Sequence, residues 1–251
     1  MRSYDKRMLL ETYHLSVPAS AKGEDRADIL RLDTGVVMVV ADGVGGRPGG
    51  AEAATLLVEN VVNYFVHADY EVTDLALVQM LTEIDQALSS DENAGETTAV
   101  VAVVTEEGVV GAFVGDSDAY LFLPDGTHPG SFFGPPRTGI IRFAGRPPEA
   151  GGGGVSGVAH PIAVNYQLTQ GRRKPYLGYG AAWPEPFNAE LRDGTLLLAS
   201  DGLWKYADLD RIADIVRSTE PLDAVARRLV DAARLPNGTL QDDITVALCR
   251  R

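Results

Sequence analysis

One short segment limits most strongly what this chain can fold into. Residues 36–41 form an unbroken run of β-branched and other apolar residues, which ends in the turn Asp42-Gly43-Val44-Gly45-Gly46. An apolar run of this length without polar alternation is typical of a strand that is buried on both faces. The fold must therefore cover both sides of the sheet that contains this strand, and a carboxylate lies where the strand ends.

Other segments of the chain are suited to provide that cover. Apolar residues at helical spacing predict helices, and β-rich runs predict strands. The helices are expected over 51–65, 73–88, 209–216 and 222–233, and the strands over 97–104, 109–114, 119–123, 187–191, 195–199 and 244–249. The sequence Arg192-Asp193-Gly194 predicts a hairpin turn between two of these strands. Strands in two groups with paired helices indicate an α+β fold whose sheets are covered by helix pairs.

Residues 124–185 differ in composition from the rest of the chain. They are rich in proline and contain the tract Gly151–Gly154. Too little chain follows them to form an independent second domain. We therefore expect a single domain over residues 1–251, with an irregular, flap-like insertion at about 124–185.

The charge and composition exclude several classes of protein. Acidic residues outnumber basic ones 35 to 22 in the 251 residues, a formal charge of −13, which disfavours binding to nucleic acid. No apolar segment approaches the roughly 20 residues of a membrane span, and no signal-peptide core follows the first residues. The single cysteine, Cys249, excludes an intrachain disulfide. The sequence predicts a cytoplasmic protein that binds neither nucleic acid nor membranes.

Several acidic residues lie at the ends of apolar strands, next to glycine, rather than on helix faces. Most of the acidic excess is expected to face solvent, but a charge beside a buried strand is costly unless something offsets it. Mn²⁺ and Mg²⁺ prefer carboxylate and carbonyl oxygens. The position of these acids therefore favours a metal centre. They are Glu24, Asp25, Asp42, Asp116, Asp201, Asp242 and Asp243.

Six sequence blocks resemble those of the metal-dependent protein phosphatases of the PPM (type 2C) family. Each block alone is weak evidence, but all six occur in the order of the family. The resemblance implies a four-layer αββα sandwich of two antiparallel sheets flanked by helix pairs, with a binuclear Mn²⁺ or Mg²⁺ site at one end. The blocks are Gly23-Glu24-Asp25, Asp42-Gly43-Val44-Gly45-Gly46, Gly95-Glu96-Thr97-Thr98-Ala99, Gly115-Asp116-Ser117, Ser200-Asp201-Gly202-Leu203-Trp204 and Asp242-Asp243-Ile244-Thr245.

The resemblance also implies roles for individual residues. Asp42 would bridge two metal ions, and Gly43 would bind one of them through its carbonyl group. Asp116 and Asp201 resemble a pair that holds a third, weaker ion in bacterial members, and Asp42, Asp201 and Asp242 are the expected catalytic residues. We therefore expect two Mn²⁺ or Mg²⁺ ions per chain and a third, weaker one. The implied metal ligands, some of which act through bound water, are Glu24, Asp25, Asp42, Gly43, Asp116, Asp201 and Asp242.

The phosphate-binding part of the family pattern differs in this chain. The family often has an arginine four residues before the Glu-Asp pair, and here that position is Ser20. Lys22, Arg26 and Arg47 lie near the metal-binding blocks in the sequence, and we expect them to bind the substrate phosphate instead. Lys205 occupies a position that is usually acidic in the family.

The implied function is hydrolysis of phosphoserine and phosphothreonine in proteins by a metal-activated water. The expected partners are a phosphorylated protein substrate and a cognate serine/threonine kinase, and the expected state is a monomer. Two alternatives stay open. The missing arginine favours a pseudophosphatase that only binds a kinase or phosphoprotein, and the unusual insertion favours a phosphatase for small phosphate esters.

Overall fold

Two antiparallel sheets of five strands form the centre of the fold in the computed structural model, which describes residues 10–46, 48–67, 72–123, 140–142 and 176–251. One sheet has the order β1-β10-β9-β6-β7, and the other has the order β2-β3-β4-β5-β8. The strands are β1 (Glu11–Val17), β2 (Asp25–Leu32), β3 (Gly35–Asp42), β4 (Ala99–Thr105), β5 (Val109–Val114), β6 (Asp118–Phe122), β7 (Ile140–Arg142), β8 (Glu185–Ala189), β9 (Thr195–Ala199) and β10 (Ile244–Arg250).

Helices cover the outer face of each sheet. The helices are α1 (Gly50–His67), α2 (Asp74–Ser89), α3 (Asp201–Trp204), α4 (Leu209–Val216) and α5 (Leu222–Ala232). The pair α1 and α2 packs on the sheet that contains β3, and the pair α4 and α5 packs on the sheet that contains β9 and β10. The predicted αββα arrangement is therefore confirmed. Among the described helices, none is long and apolar enough to cross a membrane.

The apolar run that ends at Asp42 is explained by the two cores on either side of β3. Residues 37, 39 and 41 pack against α1 and α2, whereas residues 36, 38 and 40 pack between the two sheets. All six are at most 2% exposed. Complete burial of a side chain such as valine contributes roughly 1.5–3 kcal/mol to stability. A strand with helices on one face and a sheet on the other therefore requires apolar residues throughout.

The predicted hairpin at Arg192-Asp193-Gly194 is wrong. β8 pairs with β5 in one sheet, whereas β9 pairs with β10 and β6 in the other. The turn, in which Arg192 has a φ of 48°, instead carries the chain from one sheet to the other. Turn residues indicate that the chain reverses, but the packing of the two sheets decides which strands become neighbours.

Most of the expected insertion, residues 124–139 and 143–175, lies outside the described residues. Within it, Ile140–Arg142 pairs with β6 at the edge of its sheet. The described chain resumes at Tyr176, and Leu177 then pairs with Thr97 through backbone hydrogen bonds of 2.8 and 3.1 Å. The end of the insertion is thus joined directly to the residues before β4.

Asp85 on α2 anchors this returning segment. Its side chain is 1% exposed, and four backbone N–H groups offset the cost of burying the carboxylate. Oδ1 accepts hydrogen bonds from Gly178 (2.7 Å), Tyr179 (3.2 Å) and Gly180 (3.1 Å), and Oδ2 accepts one from Ala182 (2.8 Å). The helix pair on the outer face therefore fixes where the insertion re-enters the fold.

The Asp85→Ala substitution is expected to lower the free energy of unfolding by about 3 kcal/mol or more, because it leaves four backbone amides without their acceptor. Urea unfolding measures this effect. Glu83→Ala is the matched control, since Glu83 is exposed on the same helix and bonds only to Gln79 among the described contacts; its effect should stay within about 0.5 kcal/mol. Equal effects of the two substitutions would contradict the anchoring role.

Candidate metal centre

Asp25 and Asp42 lie side by side at one end of their sheet. Asp25 begins β2 and Asp42 ends β3, and the antiparallel register pairs them directly. The backbone of Asp42 is held by Thr98, whose Oγ1 accepts from the Asp42 N–H (3.0 Å) and whose N–H donates to the Asp42 carbonyl (2.8 Å). Thr98 Oγ1 also forms a hydrogen bond with Ser117 Oγ (2.6 Å). Buried hydroxyl groups behind the strand thus fix the position of Asp42.

Two glycines of the turn after Asp42, Gly43 and Gly45, pack too closely to carry side chains. A Cβ atom on Gly43 would lie 2.3 Å from the carbonyl oxygen of Gly50, at the start of α1. The Gly43 N–H donates to the carbonyl of Glu24 (3.3 Å). A Cβ atom on Gly45 would lie 2.8 Å from the Glu24 carboxylate. The turn therefore brings Glu24 and the backbone of Gly43 close to Asp42.

Three further carboxylates reach the same place from the other sheet and from the loop between the sheets. Asp201 begins α3 directly after β9, Asp242 precedes β10, and Asp116 lies between β5 and β6. Their negative charges all act on the carboxyl group of Asp42. Burial raises the pKa of Asp201 and Asp242, and neighbouring carboxylates add to the effect. We call Asp25, Asp42, Asp116, Asp201 and Asp242 the carboxylate cluster.

The cluster places like charges in a poorly hydrated position. Burial, together with repulsion from Asp25 and the other members, raises the pKa of Asp42 to about 9. Burial also raises the pKa of Asp25 to about 6, although the nearby hydroxyl groups of Ser200 and Thr245 act in the opposite direction. Asp25 is 6% exposed, and its Oδ2 has no hydrogen-bond partner among the described residues. Such an oxygen requires a proton or a cation.

The donor set of the cluster fits a hard divalent cation. Carboxylate oxygens dominate it, and they are the ligands that Mn²⁺ and Mg²⁺ prefer. Within the described part of the chain, no three acidic, histidine or cysteine side chains already converge on one point. Mutual repulsion keeps like charges apart, and bound cations would draw the same side chains together. The buried, unpartnered oxygen of Asp25 is the observation that favours such cations over solvation.

Asp243 lies beside the cluster but binds the loop that precedes β2. Its two carboxylate oxygens accept the N–H groups of Ala19 and Glu24, both at 2.7 Å. The loop contains Ser20 and the exposed Lys22, and its two ends are thereby held next to the cluster. Lys22 therefore stays a candidate for contact with a phosphate.

Arg26, which the sequence predicted to bind phosphate, makes structural contacts, and its binding to phosphate stays a prediction. Its Nε donates to Thr55 Oγ1 in α1 (3.0 Å), and its Nη1 donates to the carbonyl groups of Gly23 (3.0 Å) and Asp25 (2.7 Å). These bonds join the start of β2 to α1. Arg47, the third predicted contact, lies outside the described residues and stays a prediction.

Tyr176 belongs to the site, and sequence reasoning did not identify it. The next residue, Leu177, pairs with Thr97, and Thr97 Oγ1 donates to the carbonyl group of Asp42 (3.1 Å). Burial, and then the charges of the carboxylate cluster, raises the pKa of the Tyr176 hydroxyl. No local pattern marks this tyrosine, because its position depends on the distant anchor in α2.

Lys205 is the second residue whose role was missed. Its Nζ forms an ion pair with Asp201, four residues earlier. Burial alone would lower the pKa of Lys205, but the bond to Asp201 and the charges of Asp116 and Asp242 raise it. The signal was present in the sequence, since residues four apart meet on one face of a helix.

Family models and a plant relative match most of this chain. Two family models, both described as Protein phosphatase 2C, match residues 18–134 and 186–239. The "Probable protein phosphatase 2C 11" of Arabidopsis thaliana is 28% identical over 219 residues, which cover 82% of this chain. The matched region spans 57% of the length of that plant relative.

Solved phosphatase structures have the same fold. The serine/threonine phosphatase Stp1 of Staphylococcus aureus matches with a TM-score of 0.73 and 20% identity, over 100% of this chain and 98% of that chain. The catalytic domain of the serine/threonine protein phosphatase PstP, described in complex with two manganese ions, matches with a TM-score of 0.68 and 18% identity, over 96% and 97% of the two chains. Three observations agree, namely the sandwich, the order of the sequence blocks and the two family matches. The chain therefore belongs to the protein phosphatase 2C family.

Proposed function

We propose that this chain is a metal-dependent phosphatase that hydrolyses phosphoserine and phosphothreonine in proteins. The observation that carries the proposal is the carboxylate cluster at the ends of the two sheets, with the buried, unpartnered oxygen of Asp25 inside it. The solved relatives named above are serine/threonine phosphatases, and one of them is described with two manganese ions.

Each part of the cluster has a task in this proposal. Asp42 receives repulsion from four other carboxylates, so it is the side chain of the cluster that a divalent cation would stabilise most. When bound, the ions would supply a water that is nucleophilic near neutral pH and would offset the charge of the phosphoryl oxygens. The groups that would hold the two ions are the side chains of Glu24, Asp25, Asp42, Asp201 and Asp242 and the carbonyl group of Gly43.

Other side chains of the chain would orient the phosphate. Tyr176 keeps its proton because burial and the nearby carboxylates raise the pKa of its hydroxyl, so it is able to donate a hydrogen bond to a phosphoryl oxygen. Lys22 adds a positive charge on the loop held by Asp243. A cysteine nucleophile is not needed, since Cys249 is buried in β10 and burial raises its pKa to about 12.

We extend the proposal to a monomeric enzyme that acts in the cytoplasm and opposes a serine/threonine kinase in signalling. The acidic composition disfavours nucleic acid as a partner. The single cysteine, which is buried, agrees with a compartment in which disulfides are not used.

The cluster also predicts how stability depends on pH when metal is absent. The raised pKa values of Asp25, about 6, and Asp42, about 9, compare with an ordinary value near 4 in the unfolded chain. The folded state therefore binds more protons than the unfolded state between these values. It follows that the free energy of unfolding decreases as the pH rises from about 4 towards 9.

Phosphatase activity is expected to require Mn²⁺ or Mg²⁺, with p-nitrophenyl phosphate and a phosphothreonine peptide as substrates. Asp42→Asn and Asp201→Asn should lower kcat/KM about 100-fold or more, because each removes a charged ligand. Glu107→Gln, at an exposed turn, is the control and should keep the activity. Failure to hydrolyse either substrate with metal would contradict the proposal and favour a binding module, and hydrolysis of the ester alone would favour a small-ester phosphatase.

In the presence of EDTA, the chain should lose about 4 kcal/mol or more of unfolding free energy between pH 5 and pH 8, as measured by urea unfolding, because a carboxyl group that is protonated only in the folded state costs about 1.4 kcal/mol per pH unit. Asp42→Asn should reduce this loss and stabilise the metal-free chain at pH 8, because it removes the carboxyl group that ionises in the unfolded chain but stays protonated in the folded one. Glu107→Gln should leave the slope unchanged. Added Mn²⁺ should raise the melting temperature of the original chain at pH 8 but not that of Asp42→Asn. A metal-free stability that rises with pH would contradict the charge arrangement.

Ser20→Arg should lower the KM for p-nitrophenyl phosphate about tenfold, because a guanidinium on the loop held by Asp243 adds charge-assisted hydrogen bonds to the phosphate. The comparison is made by steady-state kinetics at saturating Mn²⁺. Ser20→Gln, which adds length without charge, is the matched control and should keep the original KM. An arginine variant with an unchanged or higher KM would show that phosphate binding is not limited at this position.

A further inference from the structure

Lys205 is held in a defined position at the edge of the carboxylate cluster. Its backbone N–H donates to the Asp201 carbonyl (2.8 Å) at the end of the short helix α3. The helix is fixed in turn by Trp204, whose Nε1 donates to the carbonyl of Ala199 (3.1 Å) and whose ring lies 4.4 Å from that of Tyr120 between centroids. The stem of the lysine side chain therefore starts from rigid backbone, directly beside the cluster.

The ammonium group of Lys205 points into the cluster, not away from it. Nζ pairs with Oδ2 of Asp201, whose side chain is only 11% exposed, although half of the lysine side chain remains accessible to solvent. The charges of Asp116 and Asp242 also act on this ammonium, and Asp116 shares a hydrogen bond with Asp201. The lysine charge thus lies at the side of the cluster formed by Asp116 and Asp201.

The opposite side of the cluster has a different charge environment. Arg26 follows Asp25 in β2, but its guanidinium donates to Thr55 and to two backbone carbonyl groups. Asp25 keeps an oxygen without a partner among the described residues. The two sides therefore differ, since one contains an ammonium group of the chain itself and the other contains an unpartnered carboxylate oxygen.

We propose that the Lys205 ammonium takes the place of a third metal ion, so that the chain binds two divalent ions where Asp116 and Asp201 would otherwise hold a third. The inference rests on the proposed metal centre. An ammonium in contact with Oδ2 of Asp201 repels a divalent cation that approaches this oxygen from the Asp116 side, and the ion pair leaves Oδ1 of the same carboxylate as a ligand for the two ions. The Asp25 and Asp42 side lacks this competitor and keeps its affinity for cations.

The test counts Mn²⁺ ions per chain by equilibrium dialysis, with free Mn²⁺ read by electron paramagnetic resonance, and does not depend on activity. The original chain should bind two ions. Lys205→Met should bind three, the additional one more weakly, and Lys205→Arg should stay at two because it keeps the charge. Lys205→Gln repeats the measurement with a polar side chain if the methionine variant does not fold.

A double variant identifies where the additional ion binds, and a single variant elsewhere serves as the control. Adding Asp116→Asn to Lys205→Met should return the count to two. Arg227→Met is the matched control, since it removes a cation from an i,i+4 ion pair on α5 with similar exposure, and its count should stay at two. Three ions in the original chain, or equal counts with and without Lys205, would overturn the inference. A chain that binds no Mn²⁺ in any variant would instead reject the metal centre itself.

Discussion

Mutual repulsion among buried carboxylates is the interaction on which the rest of this site depends. Five aspartates from two sheets meet at one end of the sandwich, and burial together with like charge raises the pKa of Asp42 to about 9. Such an arrangement opposes folding unless cations or protons offset it. The surrounding structure therefore has to hold these side chains by other means, and it does so through backbone hydrogen bonds, buried hydroxyl groups and glycine contacts.

The sandwich itself explains why the acids are found at strand ends. Because β3 is covered by helices on one face and by a sheet on the other, none of the positions from 36 to 41 tolerates a charge. A polar side chain first becomes possible where the strand leaves both cores, at Asp42. The same argument applies to Asp201 after β9 and to Asp242 before β10, whose residues also alternate between two cores. The end of the double sheet is thus the place where carboxylates from separate strands gather.

The burial of strands on both faces determined what could be predicted from the sequence. The strand that ends at Asp42, the four longer helices and all five members of the carboxylate cluster were predicted, since each follows from periodicity or from a strand end. β2 was missed because its charged residues, Asp25, Arg26, Asp28 and Arg31, interrupt the apolar pattern. The hairpin at 192–194 was wrong because turn chemistry does not specify the partner sheet. The structural contacts of Arg26 could not be predicted, because a positive charge near a motif does not reveal which carbonyl groups it will bind.

The two missed residues differ in what places them at the cluster. Lys205 lies four residues after Asp201 and was detectable from the sequence, whereas Tyr176 is placed by tertiary contacts. Tyr176 reaches it only because Asp85, 91 positions earlier by the residue numbers, gathers four backbone amides of the segment after it. Leu177 then joins Thr97, which bonds to the Asp42 carbonyl. Hydrogen bonds through Thr97 therefore connect the end of the insertion to the backbone of Asp42. A change that moved Leu177 would be transmitted to Asp42 through Thr97, so the end of the insertion is coupled to the backbone that positions the central carboxylate.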